Sequence, residues 1–186
     1  MATAVLVIDV QQALCVGPHA VHDAQGLIQR INLVTRNARQ AGVPVLFIQH
    51  EGEGTELAHG SAGWQLAAGL RVETGDLRVP KTTPDAFLRT NLQDLLEARH
   101  ARRLVVCGLH SEFCIDTTVR RALAFGHPVT LVADAHSSAG NEVLTPQQVI
   151  AHHTATLTNI RSFGPRVTAV RAADVDLREL SPLLSD

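Results

Sequence analysis

The chain has 186 residues, 45% of them hydrophobic and 18% charged, with a formal net charge of −2. That length suits one domain with a single core, and no basic run exceeds two residues, so neither nucleic acid nor an anionic membrane is expected as a partner. No segment approaches the about 20 apolar residues that span a bilayer, and the three cysteines, Cys15, Cys107 and Cys114, lack CxxC spacing, which speaks against a disulfide framework or a zinc cluster.

The N-terminus, MATAVLVIDVQQ, reads as a strand over 4–8. Its apolar run is short, has no positive region before it and ends in Asp9, unlike a secretory leader; a reducing cytoplasm is the expected location. Leu27, Ile31, Val34, Ala38 and Ala41 then recur at helical spacing as one apolar stripe, and Gly42 stands where a helix C′ glycine belongs. A second strand is predicted over 44–48. Residues 51–75, rich in Gly, His and acidic side chains, form a long irregular stretch, the kind that serves function or an oligomer contact.

The third strand, 76–79, is the weakest of the set. TNLQ (90–93) has capping-box spacing and opens a helix carrying Leu92, Leu95 and Leu96. Strands over 104–107 and 129–133 bracket a helix with Ile115, Val119, Ala122 and Leu123 on one face, closed by Gly126. TPQQ (145–148) joins a cap, a first-turn proline and a second capping box, and its helix is expected to bury Val149, Ile150, His153 and Leu157. The last strand covers 166–170. Most of these strand runs are continuous rather than alternating, the mark of strands buried on both faces. Strands alternating with helices imply an α/β fold, a three-layer α/β/α sandwich around a Rossmann-like six-stranded parallel sheet, in one domain over 1–186.

Ligands of such sheets bind beyond the carboxyl ends of the strands. Polar residues there are Asp9, His50, Lys81, the stretch HSEFC (110–114) and Asp134. Asp9, directly after VLVI, reads either as a turn cap or as a partly buried carboxylate in need of a cation. Lys81 reads either as a surface charge or as that cation, the two sitting on neighbouring strand ends. Cys114 reads either as a small buried filler or as a nucleophile: with Ser111 as N-cap it falls in the first helical turn, where unpaired N–H groups lower a thiol pKa and can receive an oxyanion. Cys107 reads as core, and Cys15 is open between loop and site mouth.

The chain resembles the isochorismatase-like cysteine hydrolase superfamily, which includes nicotinamidases, N-carbamoylsarcosine amidase-type enzymes and streptothricin hydrolase-like proteins. The resemblance is carried by VLVIDVQ (5–11), KTTPDAFLRTNL (81–92), VVCGLHSEFCIDTTVRRALAFG (105–126) and VTLVADAHSS (129–138), and extends to about HHTATL (152–157). Ordered motifs of this kind are more specific than any one short match. It implies a triad of Asp9, Lys81 and Cys114, a non-proline cis peptide between Leu109 and His110, and an oxyanion site made by the backbone N–H groups of His110 and Cys114. The implied reaction is attack of the cysteine on a carbonyl-type carbon and release of an amine or ammonia through a thioester.

The departures are informative. The usual threonine of the signature is Ser111, and His110 replaces a smaller residue, so it lines or narrows the pocket. Enzymes of the superfamily that cleave a vinyl ether lack the cysteine, so Cys114 points towards C–N cleavage. Nicotinamidases carry Asp-x-His after the second strand, whereas this chain has IQHEGEGTELAHG (48–60). His50, Glu51, Glu53 and His59 alone do not make a ligand set, and neither metal nor other cofactor is expected. The pocket is assigned to Gln11, His50, Trp64, Phe87, His110 and Phe113, although Trp64 reads equally as a core or interface anchor and the two phenylalanines as packing. HGSAGWQL (59–66) and GLHSEFCIDTT (108–118) resemble the streptothricin hydrolase-like subgroup. The expectation is therefore a cysteine hydrolase of a small-molecule amide, assembled as a homo-oligomer (dimer or tetramer). The alternative is a non-catalytic α/β binding or scaffolding subunit that retains the fold.

Overall fold

The computed structural model describes residues 2–177. In chain order it contains β1 (Thr3–Ile8), α1 (Gln12–Cys15), α2 (Ala24–Gln40), β2 (Val45–His50), β3 (Leu77–Lys81), α3 (Leu92–Glu97) and β4 (Arg103–Leu109). A π turn (Ser111–Ile115) then leads into α4 (Asp116–Ala124), β5 (Val129–Ser137), α5 (Pro146–Asn159), β6 (Val167–Val170) and a 3-10 turn (Ala172–Asp174). The six strands pair in the order β3-β2-β1-β4-β5-β6, all in parallel. Helices cover both faces, so the expected three-layer α/β/α sandwich and Rossmann-like sheet are found.

The strand sequences explain this burial. Alternate residues face opposite sides of a sheet, and here both sides are apolar. Leu6, Ile8, Leu46, Ile48, Leu104 and Val106 pack with Leu92 and Leu96 of α3, Val119 and Leu123 of α4 and Leu157 of α5. Their neighbours Val5, Val7, Val45, Phe47, Val105 and Cys107 pack with Leu27, Ile31, Val34 and Ala38 of α2. Cys107 is thus core, as its place within the strand implies. The 3-10 turn at the end of the described chain adds Ala172 to the α2 side.

Several local expectations give way. Ala41 is the C-cap of α2 and is exposed. TNLQ forms no capping box: Asn91 is the N-cap of α3 without a side-chain bond, and Thr90 Oγ1 accepts from the Leu92 N–H at 3.2 Å while donating to Ala86 O at 2.7 Å. TPQQ does form one, with Pro146 in the first turn, but the helix buries only Val149 and Leu157, while Ile150 and His153 are half-buried. His153 turns to Asp116 Oδ1 at 3.1 Å instead. β5 runs on to Ser137, past the expected end at 133. Asp134 therefore lies within the strand, where its carboxylate accepts the Ala172 N–H at 2.7 Å.

The strand order reverses between β1 and β4. The chain moves outward from β1 through β2 to β3, then returns to β4 and proceeds to β5 and β6. The crevice beyond the strand ends at such a switch point is where open α/β sheets bind ligands. Asp9 leaves β1 there, and Cys114 follows β4.

Candidate active site

Asp9 is the first residue beyond β1. It adopts a left-handed backbone conformation, φ 52°, which aspartate tolerates better than most residues. Its N–H donates to Ile48 O at 2.9 Å, so the carboxylate is fixed at the mouth of the switch point. Lys81 is the last residue of β3 and pairs in register with His50 of β2. Asp9 and Lys81 are not on neighbouring strands, since β2 lies between them. The lysine side chain crosses over β2 to bring Nζ within 2.7 Å of Asp9 Oδ2. Both residues are at most 2% exposed.

Cys114 arrives from the opposite side, in the π turn between β4 and α4. The strand-to-turn junction depends on Gly108, whose φ is +121° and where a Cβ would stand 2.0 Å from Ile8 O. The following peptide, Leu109–His110, is cis, as the resemblance implies. Ser111 is not the N-cap: that position is His110, without a side-chain bond, and the Ser111 hydroxyl meets His136 Nδ1 at 2.8 Å. Cys114 is buried and its Sγ lies 3.2 Å from Lys81 Nζ.

The ammonium of Lys81 therefore serves a crowded shell. Besides Asp9 Oδ2 and Cys114 Sγ it reaches His50 Nδ1 at 2.9 Å and Thr83 O at 3.1 Å. Three N–H bonds face four acceptors, and the sulfur is the weakest and most distant of them. Burial pushes the Cys114 thiol up to about 12, with the charge of Asp9 adding to the effect and that of Lys81 opposing it. The expectation of an acidified thiol is not met, since burial and the charge of Asp9 together outweigh the charge of Lys81. The resting centre is a neutral thiol beside a carboxylate–ammonium pair. Asp9 Oδ1 is buried without a hydrogen-bond partner, which leaves an acceptor free for the thiol proton.

Donor atoms of Asp9, His50 and Cys114 lie within 4.8 Å of one another, a spacing that a metal ion could use. Lys81 Nζ already bonds or pairs with all three, so this donor set is organised around an ammonium. Elsewhere in the expected stretch, Glu51 and His59 pair with each other at 2.8 Å.

A cavity of about 240 Å³ opens over the sulfur, lined by Asp9, Leu14, His50, Leu57, Pro84, His110, Phe113 and Cys114. His50, His110 and Phe113 thus stand where the sequence placed them. Gln11, Trp64 and Phe87 do not line this cavity. Gln11 is fully buried and braces the framework: its Nε2 donates to His50 O and Trp64 O, both at 3.0 Å, and its Oε1 accepts the His50 N–H at 2.8 Å. Trp64 faces a separate cavity with Gln49, Glu51, His59, Arg78 and Pro80, its ring 4.6 Å from that of His59. Phe87 is buried in the core side of the sheet, against Phe125 at 5.3 Å. Cys15 is buried and burial raises its pKa to about 11.

Leu14, Leu57 and Pro84 are wall residues that sequence reading missed. They come from α1, the 51–75 loop and the segment after β3, and nothing in their local pattern marks them as converging. His136 was also missed as a participant. Its ring, 2% exposed, links Ser111 Oγ to Thr154 Oγ1 at 2.8 and 3.0 Å.

Comparison with known proteins adds a family context. The isochorismatase domain pattern matches residues 3–172. Streptothricin hydrolase of Streptomyces noursei is 41% identical over 138 residues, covering 73% of this chain and 49% of that protein. The match thus spans about half the length of that relative. Ureidoacrylate amidohydrolase RutB of Pseudomonas syringae pv. syringae is 28% identical over 205 residues, covering 90% of this chain and 80% of RutB. A crystal structure of an isochorismatase family protein superposes with a TM-score of 0.83 at 33% identity, covering 90% of this chain and 97% of the other.

Proposed function

The chain belongs to the isochorismatase family, and we propose that within it the protein is a cysteine hydrolase, cleaving an amide or related C–N bond of a small molecule through a thioester on Cys114. The observation that carries this reading is the buried convergence of Asp9, Lys81 and Cys114 beneath an open cavity. The names of two relatives, a streptothricin hydrolase and a ureidoacrylate amidohydrolase, support the C–N bond as target.

In this reading Asp9 Oδ1 takes the thiol proton as Sγ attacks the carbonyl carbon. The negative charge passes from Asp9 to the substrate oxygen, where the N–H groups of His110 and Cys114 receive it. Collapse of the tetrahedral adduct breaks the C–N bond, and Asp9 returns its proton to the departing nitrogen. Water then attacks the thioester, giving one proton to Asp9, which restores the thiol as the acid leaves. Lys81 keeps Asp9 ionised between these transfers and stabilises sulfur anion as it forms. The reading includes a cytoplasmic setting, supported by three free cysteines, and a homo-oligomer, supported by exposed apolar side chains such as Val143 and Phe163.

The test is a panel of small amides followed by ammonia release and intact mass. The expected result is turnover with a transient acyl adduct mapped to Cys114, both lost in Cys114→Ala. Full activity of that variant on a confirmed substrate would remove the nucleophile, and an inert panel without adduct would favour a non-catalytic binding subunit.

A further inference from the structure

We infer that the part of the substrate held in the Cys114 cavity is small, uncharged and largely apolar, and that the site discriminates against a carboxylate near the scissile bond. This rests on the cysteine hydrolase reading and adds the class of compound to it.

Size comes first. The cavity of about 240 Å³ is smaller than the roughly 300–1,000 Å³ of sites that take drug-sized ligands. It suits a group no larger than a single ring with its carboxamide. Leu14, Leu57, Pro84 and Phe113 supply the walls, which offer no hydrogen bonds from their side chains.

Charge is the second argument. The cation nearest the nucleophile, Lys81, is committed to Asp9 at 2.7 Å with both groups sealed from solvent, so the pair presents no net charge. His50 Nδ1 faces the lysine ammonium and must act as acceptor, which places the ring proton on Nε2 and keeps the ring neutral. That Nε2–H has no protein partner among the described residues and can orient a neutral acceptor. His110, on the other wall, is also held towards its neutral form by burial, which outweighs the opposing charge of Glu112. A substrate carboxylate placed here would lose water and gain no counter-ion, a costly exchange. A cationic group fares no better, because Asp9 is already paired.

The experiment compares two alkylating probes of nearly equal size, neutral iodoacetamide and anionic iodoacetate. Each forms the same S–CH₂ bond at a thiol and expels iodide. Rates at Cys114 are read by peptide mapping on the intact wild-type protein and divided by the rates with free glutathione. The normalised rate for iodoacetate is expected to fall below that for iodoacetamide by about tenfold or more. Equal rates, or a preference for iodoacetate, would overturn the inference. Leu57→Arg, which sets a guanidinium on the wall, is expected to narrow that gap several-fold, and an unchanged ratio in the folded variant would also overturn it. These probes need no turnover, so an inert amide panel would sink the hydrolase reading while the charge selectivity remains measured.

Discussion

Lys81 Nζ lies 2.7 Å from Asp9 Oδ2, with the two side chains 0% and 2% exposed. A buried pair of this kind gains little net stability, since desolvation of two ions offsets their attraction, but removing one partner strands the other. Lys81→Met is therefore expected to destabilise the fold by about 3–5 kcal/mol. Adding Asp9→Asn should recover much of that loss, because the two changes share one interaction. Denaturant titration of the two single variants and the double variant checks the non-additivity. Activity is expected to stay at least about a hundredfold below wild type in all three. Additive losses would show that the pair is not energetically coupled.

Asp9→Asn alone separates two roles of one carboxylate. Asparagine tolerates the left-handed backbone at this position, so the change is conservative in shape. The charge of Asp9 helps to hold the Cys114 thiol up near 12, and its loss lets Lys81 favour thiolate. The variant should alkylate with iodoacetamide faster than wild type at pH 8, yet hydrolyse amides slower by a factor on the order of 10²–10⁴, the range for loss of an acid–base group. The wild-type alkylation rate should still be climbing with pH above 9. Slower alkylation in the variant would contradict the assigned effect of Asp9 on the thiol.

The strand-to-turn junction gives a structural prediction. At Gly108 an added Cβ would meet Ile8 backbone atoms at 2.0, 2.7 and 2.8 Å, at a φ of +121°. Backbone cannot move aside as a flexible side chain can, because Ile8 and Gly108 are register partners in the β1–β4 ladder. Gly108→Ala should leave little soluble folded protein, or a Tm lowered well beyond the few degrees of an ordinary surface change. Wild-type stability in this variant would mean that β1 and β4 approach less closely than described.

The contrast between legible and illegible features follows from what each depends on. The strands were readable because both sheet faces are covered, so runs such as VLVI and LVVC stay apolar at every position. Their ends were less readable: β5 continues through Asp134, His136 and Ser137, whose polar groups find partners only in the folded chain. Asp9, Lys81 and Cys114 were locatable because each sits at or just beyond a strand end, and topology brings such ends together. The cavity walls were not, since Leu14 comes from the short helix α1 and Leu57 from the 51–75 loop. The same limit misplaced Trp64 and Phe87. The direction of the Cys114 pKa shift was missed for another reason: local sequence shows a helix start but not the depth of burial.

His136 carries the last prediction, which concerns pH. Thr154 Oγ1 donates to Ile150 O at 2.8 Å, so it must accept from His136 Nε2–H at 3.0 Å. His136 Nδ1 is then an acceptor for the Ser111 hydroxyl at 2.8 Å. This chain needs a neutral ring. Burial, with the nearby His153 adding to it and Asp134 opposing, lowers the His136 pKa to about 4, against about 6.5 in an unfolded chain. Between those values the unfolded state binds a proton that the folded state refuses. Stability is thus complete above pH 6.5 and is lost as pH falls towards 4, by roughly 3 kcal/mol over that window. His50 and His110, also lowered by burial, act in the same direction. Ser111 directly follows His110 in the turn that presents Cys114, so loss of its bond should lower kcat before the protein unfolds. His136→Gln cannot titrate; it should start less stable at neutral pH and show a flatter decline from pH 6.5 to 4. Urea midpoints at pH 7, 6 and 5, with kcat and KM measured in parallel, distinguish the cases. Parallel profiles for wild type and variant would assign the acid limb to other groups.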